Sequence, residues 1–238
     1  MKGALLDLAV ELVERARERS VTLRVLGPVA VVLHSEEYIG LYEALDRRNP
    51  ELRLAGYLDQ SKAIEGLMRG EGFEPLSKFG PSGRIYSRGG KEVKVFFGKL
   101  SLNHDLDLEG RLEADYPTAP LSELVLEASQ TVRIGEEIKD LIVLFLAHEV
   151  GEGDDELINL GRISRVLARD WGFYYTATRN LRKVRNLLER YPQLTEEERG
   201  LISERIGRVL ERVEREPKGL KWRLRAKIGV SKKWYREL

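Results

Sequence analysis

The chain has 238 residues, 42% of them hydrophobic, and its forty basic and thirty-nine acidic residues leave a formal net charge of +1. That near balance gives no whole-chain attraction for nucleic acid or anionic membranes, and no apolar run approaches the ~20 residues a bilayer span requires. Cysteine is absent, which removes disulfides, thiolate nucleophiles and thiolate zinc sites, and His34, His104 and His148 are too scattered to form a ligand cluster.

The opening "MKGALLDLAVELVERARERS" spaces its apolar residues as a helix does, with charges between them. It predicts a helix over about 4–19, with Leu5, Leu8, Leu12 and Ala16 on one stripe, and lacks the uninterrupted apolar core of a secretory signal. The expectation is a cytoplasmic protein with no membrane association. "VTLRVLGPVAVVLH" (21–34) reads as strand, tight turn at Gly27-Pro28, and helix. A second strand is expected within 51–59, followed by a helix opened by Ser61 and closed near Gly70 or Gly72. Residues 83–100 predict a hairpin turning at Gly89-Gly90, with Val93, Val95 and Phe97 on one face.

From Pro120 onward helical periodicity dominates, with helices expected at about 121–133, 136–148, 156–170, 177–191 and 196–215. Asp154-Asp155 reads as an acidic start to one of them, and the aromatics of "DWGFYYT" (170–176) as a buried helix junction. The closing stretch 217–238 carries eight Lys or Arg against one Glu, interleaved with Trp222, Trp234 and Tyr235. The domains expected are therefore an α/β domain at 1–118, a helical domain at 119–216 and a basic tail at 217–238. A charged fraction of 33%, rich in Arg and Glu, matches the ion-pair-dense surfaces of heat-adapted proteins.

The stretches "LRVLGPVAVVLH", "SKAIEGLMRGEGFEP", "KEVKVFFGKLSLNHDLDLEGRL", "YPTAPLSELVLEASQTVRI", "IKDLIVLFLAHEVGEGDDE", "DWGFYYTATRNLRKVRNLL" and "LKWRLRAKIG" follow one another in an order that resembles a family of prokaryotic nucleotidyltransferase-like proteins, related to abortive-infection and toxin-type nucleotidyltransferases. The resemblance implies an α/β (α+β) fold: a nucleotidyltransferase-type mixed sheet with flanking helices, followed by an all-helical C-terminal domain. It also implies a glycine turn near a triphosphate, an Asp-x-Asp pair on the next strand and a third carboxylate on a neighbouring strand, which together hold Mg²⁺ beside the reacting phosphate.

This sequence departs from that pattern at each chemical position. Gly27-Pro28 replaces two glycines, Leu54 and Gly56 fall where the Asp-x-Asp pair is expected, Lys94 falls on the third carboxylate, and Ala128 replaces a lysine. The only acids within 51–60 are Glu51 and Asp59, so no shift of that strand produces acids at i and i+2. The expectation is a catalytically inactive protein that retains a cleft for a nucleotide or an RNA end, or serves a protein partner as a scaffold. It needs no cofactor. The alternative is an active enzyme using Mg²⁺ on unidentified carboxylates.

The residues expected at phosphate or nucleotide are Gly27, Lys62, Lys94, Lys139 and Asp140. Lys94 either meets a phosphate directly or is a solvated strand lysine. Lys139 and Asp140 either orient a nucleotide or form an ion pair. Lys221, Trp222, Arg223, Arg225, Lys232, Lys233 and Trp234 of the tail either contact nucleic acid or strap the tail to its own protein. Asp105 and Asp107 in "DLDLEG" read as a strand-edge or ion-pair feature rather than a metal site. The sequence specifies no oligomeric state.

Overall fold

The computed structural model describes residues 3–48, 50–79 and 82–237; positions 1, 2 and 238, the outer ends of the expected first domain and tail, lie outside the described residues. The chain divides into two compact units, Met1–Ile39 with Arg47–Ser101 and Asp105–Pro120, and Gly40–Asp46 with Leu102–His104 and Leu121–Leu238. The architecture is mixed α/β followed by a helical C-terminal region.

The first unit opens with α1 (Gly3–Glu18), β1 (Leu23–Leu26) and α2 (Gly27–His34). Leu8, Leu12 and Ala16 of α1 are buried, as the 3.6-residue stripe requires. Gly27 has φ +66°, a left-handed conformation that glycine adopts without a Cβ penalty, and Pro28 fills the first turn of α2, where its missing N–H costs nothing. After α3 (Ile39–Ala44) come β2 (Leu52–Gly56), α4 (Ser61–Gly70), β3 (Glu74–Phe79), β4 (Gly83–Arg88) and β5 (Lys91–Phe97). These five strands form one sheet in the order β1-β2-β5-β4-β3. β2 and β5 run parallel, and the other pairs are antiparallel. The hairpin turns at Gly89-Gly90 as expected. β3 was not expected: its residues Glu74 to Lys78 are exposed, so no apolar alternation marks it, and Pro75 is tolerated because the strand is at the sheet edge. A small hairpin, β6 (Lys99–Ser101) with β7 (Asp105–Asp107), follows.

The register sorts side chains onto two faces, since residues paired across strands point the same way. Val25, Leu54 and Val95 share one face. Gly56 points to that same side, where a Cβ would lie 2.3 Å from Ile64 of α4 and 2.9 Å from the Thr22 carbonyl. Arg53, paired with both Leu26 and Lys94, belongs to the opposite face.

The second unit contains α5 (Leu121–Ser129), α6 (Glu137–Ala147), the two-residue strands β8 (Val150–Gly151) and β9 (Ile158–Asn159), α7 (Leu160–Leu167), α8 (Trp171–Leu187), α9 (Glu196–Arg215) and α10 (Leu220–Ile228). α9 starts at a capping box in which Thr195 and Glu198 each satisfy the other's backbone N–H. Two helix starts differ from expectation. α8 begins at Trp171, not 177, because the Asp170 side chain caps the Phe173 N–H, so the aromatic cluster is the first turns of a helix. α7 begins at Leu160, capped by Asn159. Asp154 precedes it and accepts from Asn159 Nδ2 at 3.0 Å, so the acidic pair forms no helix start. Among the described residues no helix is long and apolar enough to cross a membrane.

Candidate functional site

The antiparallel register sets Leu26 across from Arg53, and the parallel one sets Arg53 across from Lys94. The Gly27 turn at the end of β1, Arg53 and Lys94 therefore gather at one end of the first unit's sheet. Glu51, two residues before Arg53, joins them: Arg53 Nε donates to Glu51 Oε1 at 3.0 Å, and Lys94 Nζ forms an ion pair with Oε2 of the same carboxylate. The ammonium also lies 4.6 Å from the centre of the Phe79 ring, in the range of a cation–π contact. Arg53 and Lys94 side chains keep 15% and 22% of their exposure. Burial alone would raise the Glu51 carboxyl, but Arg53 and Lys94 outweigh it and hold the group below its ordinary value.

This arrangement separates Lys94 from the expected positions Leu54 and Gly56. Both point to the α4 side of the sheet, Leu54 fully buried, so neither can share a face with Lys94. A one-residue step along a strand turns the side chain over, so the expected positions Leu54 and Gly56 lie on one face and Lys94 on the other. The β2 residues that share the Lys94 face are Arg53 and Ala55, neither of them an acid. The signal was present in "LRLAG", where an arginine between two inward leucines marks the opposite face.

Lys62 is not part of this group. It is exposed in the first turn of α4, beyond the far end of β2, where Gln60 accepts from the Thr22 N–H at 2.7 Å. Lys139 and Asp140 lie in the second unit and do not pair with each other. Lys139 Nζ donates to Glu136 at 3.1 Å and to the Asp46 carbonyl at 2.7 Å, while buried Asp140 accepts the Tyr42 hydroxyl at 2.5 Å. Their observed contacts tie α6 to the segment 40–46.

The tail divides by residue. The Trp222 indole N–H donates to the Leu167 carbonyl at 3.1 Å, and its ring meets Tyr174 edge-on at 5.0 Å. The Trp234 indole N–H donates to Thr176 Oγ1 at 3.1 Å. Arg225 lies 4.6 Å from the Trp171 ring centre and donates to the carbonyls of Gly229 and Lys232, both at 2.7 Å. These three side chains strap the tail to its own unit. Lys221, Arg223, Lys232 and Lys233 remain exposed.

The histidines have structural surroundings. His34 Nε2 lies 2.5 Å from Thr118 Oγ1 and 3.2 Å from Asp115, and buried His104 lies 2.9 Å from Thr176 Oγ1 and stacks on Phe173. Asp105 lies 3.9 Å from Lys99 across the β6-β7 hairpin. Among the described residues no group of three or more His, Asp or Glu is placed to hold a metal ion.

A crystal structure of an antigenic nucleotidyltransferase-like protein from Paracoccidioides brasiliensis aligns with 83% of this chain and 92% of that one, at 17% sequence identity and a TM-score of 0.42. No family model and no curated protein matches the sequence.

Proposed function

We propose that this chain is a nucleotidyltransferase-type protein that performs no metal-dependent transfer and instead binds the phosphates of a nucleotide, or of an RNA end, directly through Arg53 and Lys94. The sequence resemblance supplies the class. The observation that carries the reading is the pairing of Arg53 with Lys94 across β2 and β5, beside the Gly27 turn. The resemblance implies Mg²⁺ held by carboxylates, and the residues present do not fit it: the Glu51 carboxylate at this face is already held by Arg53 and Lys94, and two cations there repel a third. No catalytic step is therefore derived through a metal.

Glu51 acts as an internal anion, holding the guanidinium and ammonium side by side until a phosphate displaces it. A planar guanidinium and a compact ammonium together suit a phosphate's several oxygens, through charge-assisted hydrogen bonds.

The test is calorimetric titration of ATP and GTP in EDTA. Binding is expected without divalent ions. It should weaken about tenfold or more in Lys94→Ala and Arg53→Ala, the loss of one charge-assisted contact, and strengthen in Glu51→Gln. Absence of nucleotide binding, or Mg²⁺-dependent incorporation of labelled nucleotide into RNA or protein, overturns the reading.

A further inference from the structure

α10 is apolar on two opposite sides. Trp222 faces inward against α8 and the end of α7, whereas Leu220, Leu224 and Ile228, each four residues from the next, stay 67%, 53% and 48% exposed. At about 100° per residue these three form one continuous ridge, with Lys221 on one flank and Arg223 and Lys227 on the other. Val230, 51% exposed, extends the apolar surface past the helix end. The apolar stripe of a helix is ordinarily covered, and here only the tryptophan side is.

We propose that the outward ridge of α10 docks an acidic amphipathic helix of a partner protein. Charge decides the occupant. Between Lys218 and Arg236 there are eight cations and no acid, so the ridge favours a partner whose leucine-type side chains are bordered by Glu or Asp. A second copy offering its own α10 would set these cations against each other. RNA would find apolar side chains where it needs stacking rings, because Trp222 and Trp234 make their contacts with Tyr174, Tyr175 and Thr176 of the same unit. The ridge belongs to the second unit and Arg53 and Lys94 to the first, and this proposal does not rest on nucleotide binding.

The probe is a labelled helical peptide of about three heptads with Leu at a and d and Glu on both flanks, titrated with the full chain and followed by fluorescence anisotropy. Saturable binding is expected, at least about tenfold tighter than to the same peptide with Lys flanks. It should weaken as salt rises, and weaken about tenfold in Leu224→Ser and in Lys221→Glu/Lys227→Glu. Both variants change exposed side chains, and unchanged thermal melting verifies their folding. The proposal is overturned by absent binding of the Glu peptide, by equal binding to the Lys peptide, or by unchanged affinity in Leu224→Ser. It is equally overturned if vesicles rich in phosphatidylserine, or an RNA oligonucleotide, bind in a Leu224-dependent way and the peptide does not.

Discussion

Lys94 on β5 sits directly across from Arg53 on β2, and both side chains converge on the carboxylate of Glu51. The two cations share this carboxylate at the end of the sheet where the Gly27 turn begins α2. The triad also contributes to folding, and acid should reveal that contribution.

The Glu51 carboxyl is held below its ordinary value of 4.5. A carboxyl with a lowered folded-state value contributes stability above its unfolded value and loses it as pH falls through the folded one. The wild-type advantage over Glu51→Gln in urea unfolding is expected to be on the order of 1 kcal/mol near neutral pH, given the partial exposure of the group. It should shrink as pH falls below 4.5 towards the lower folded-state value. An advantage that persists unchanged in acid would show that the triad contributes nothing through charge.

How much of this was readable from the sequence differs by element. The start of α9 is marked by "LTEEE", where Thr195 and Glu198 stand at capping-box spacing, and the β4-β5 hairpin by Gly89-Gly90. Strand parity was harder. Leu54 and Arg53 are neighbours in sequence but belong to opposite faces, and only the pairing of β2 with both β1 and β5 decides which face is shared with Lys94. The α10 ridge shows the same limit. Leu220, Leu224 and Ile228 have obvious helical spacing, yet it is the docking of Trp222 on Tyr174 that turns them outward.

Alkaline pH should act through Tyr57. Burial and a hydrogen bond to Glu113 push its hydroxyl up to about 12. Because the folded state keeps the proton longer than the unfolded chain, stability falls as pH rises from the ordinary value of 10.0 towards about 12. Tyr174, raised to about 12 by burial and Glu214, adds a second loss of the same sign. Tyr57→Phe is expected to flatten part of that loss, while costing about 1 kcal/mol at neutral pH because the Leu112 N–H no longer has the hydroxyl as acceptor. An identical alkaline slope in the variant would assign the effect to other groups.

The strap should depend on Gly172. A Cβ there would come within 2.4 Å of the Trp234 carbonyl oxygen, a backbone atom that can yield only if the tail moves. Gly172→Ala is expected to lift the 229–237 segment. The readouts are a change in tryptophan fluorescence, faster proteolysis after Lys232 and Lys233, and a loss of roughly 1–3 kcal/mol in stability. Wild-type proteolysis rates in this variant would mean that the tail accommodates the methyl group in place.

The face assignment itself can be tested by building what the family pattern calls for. Arg53→Asp/Lys94→Asp adds two carboxylates beside Glu51 on one face of adjacent strands, the donor set and charge that a hard divalent ion prefers. Without metal, the three acids repel one another and the variant should be less stable than wild type. Millimolar Mn²⁺ or Mg²⁺ is expected to restore several degrees of its melting temperature, because an ion that binds only the folded state stabilises it by mass action, while the wild type, with cations at both positions, should not respond. Gly56→Asp is the control on the opposite face. There the new side chain meets Ile64 and the Thr22 carbonyl, so it should destabilise through overpacking and buried charge, and divalent ions should not rescue it. Metal rescue of Gly56→Asp but not of the double variant would place the functional face on the α4 side of the sheet and remove Arg53 from the site.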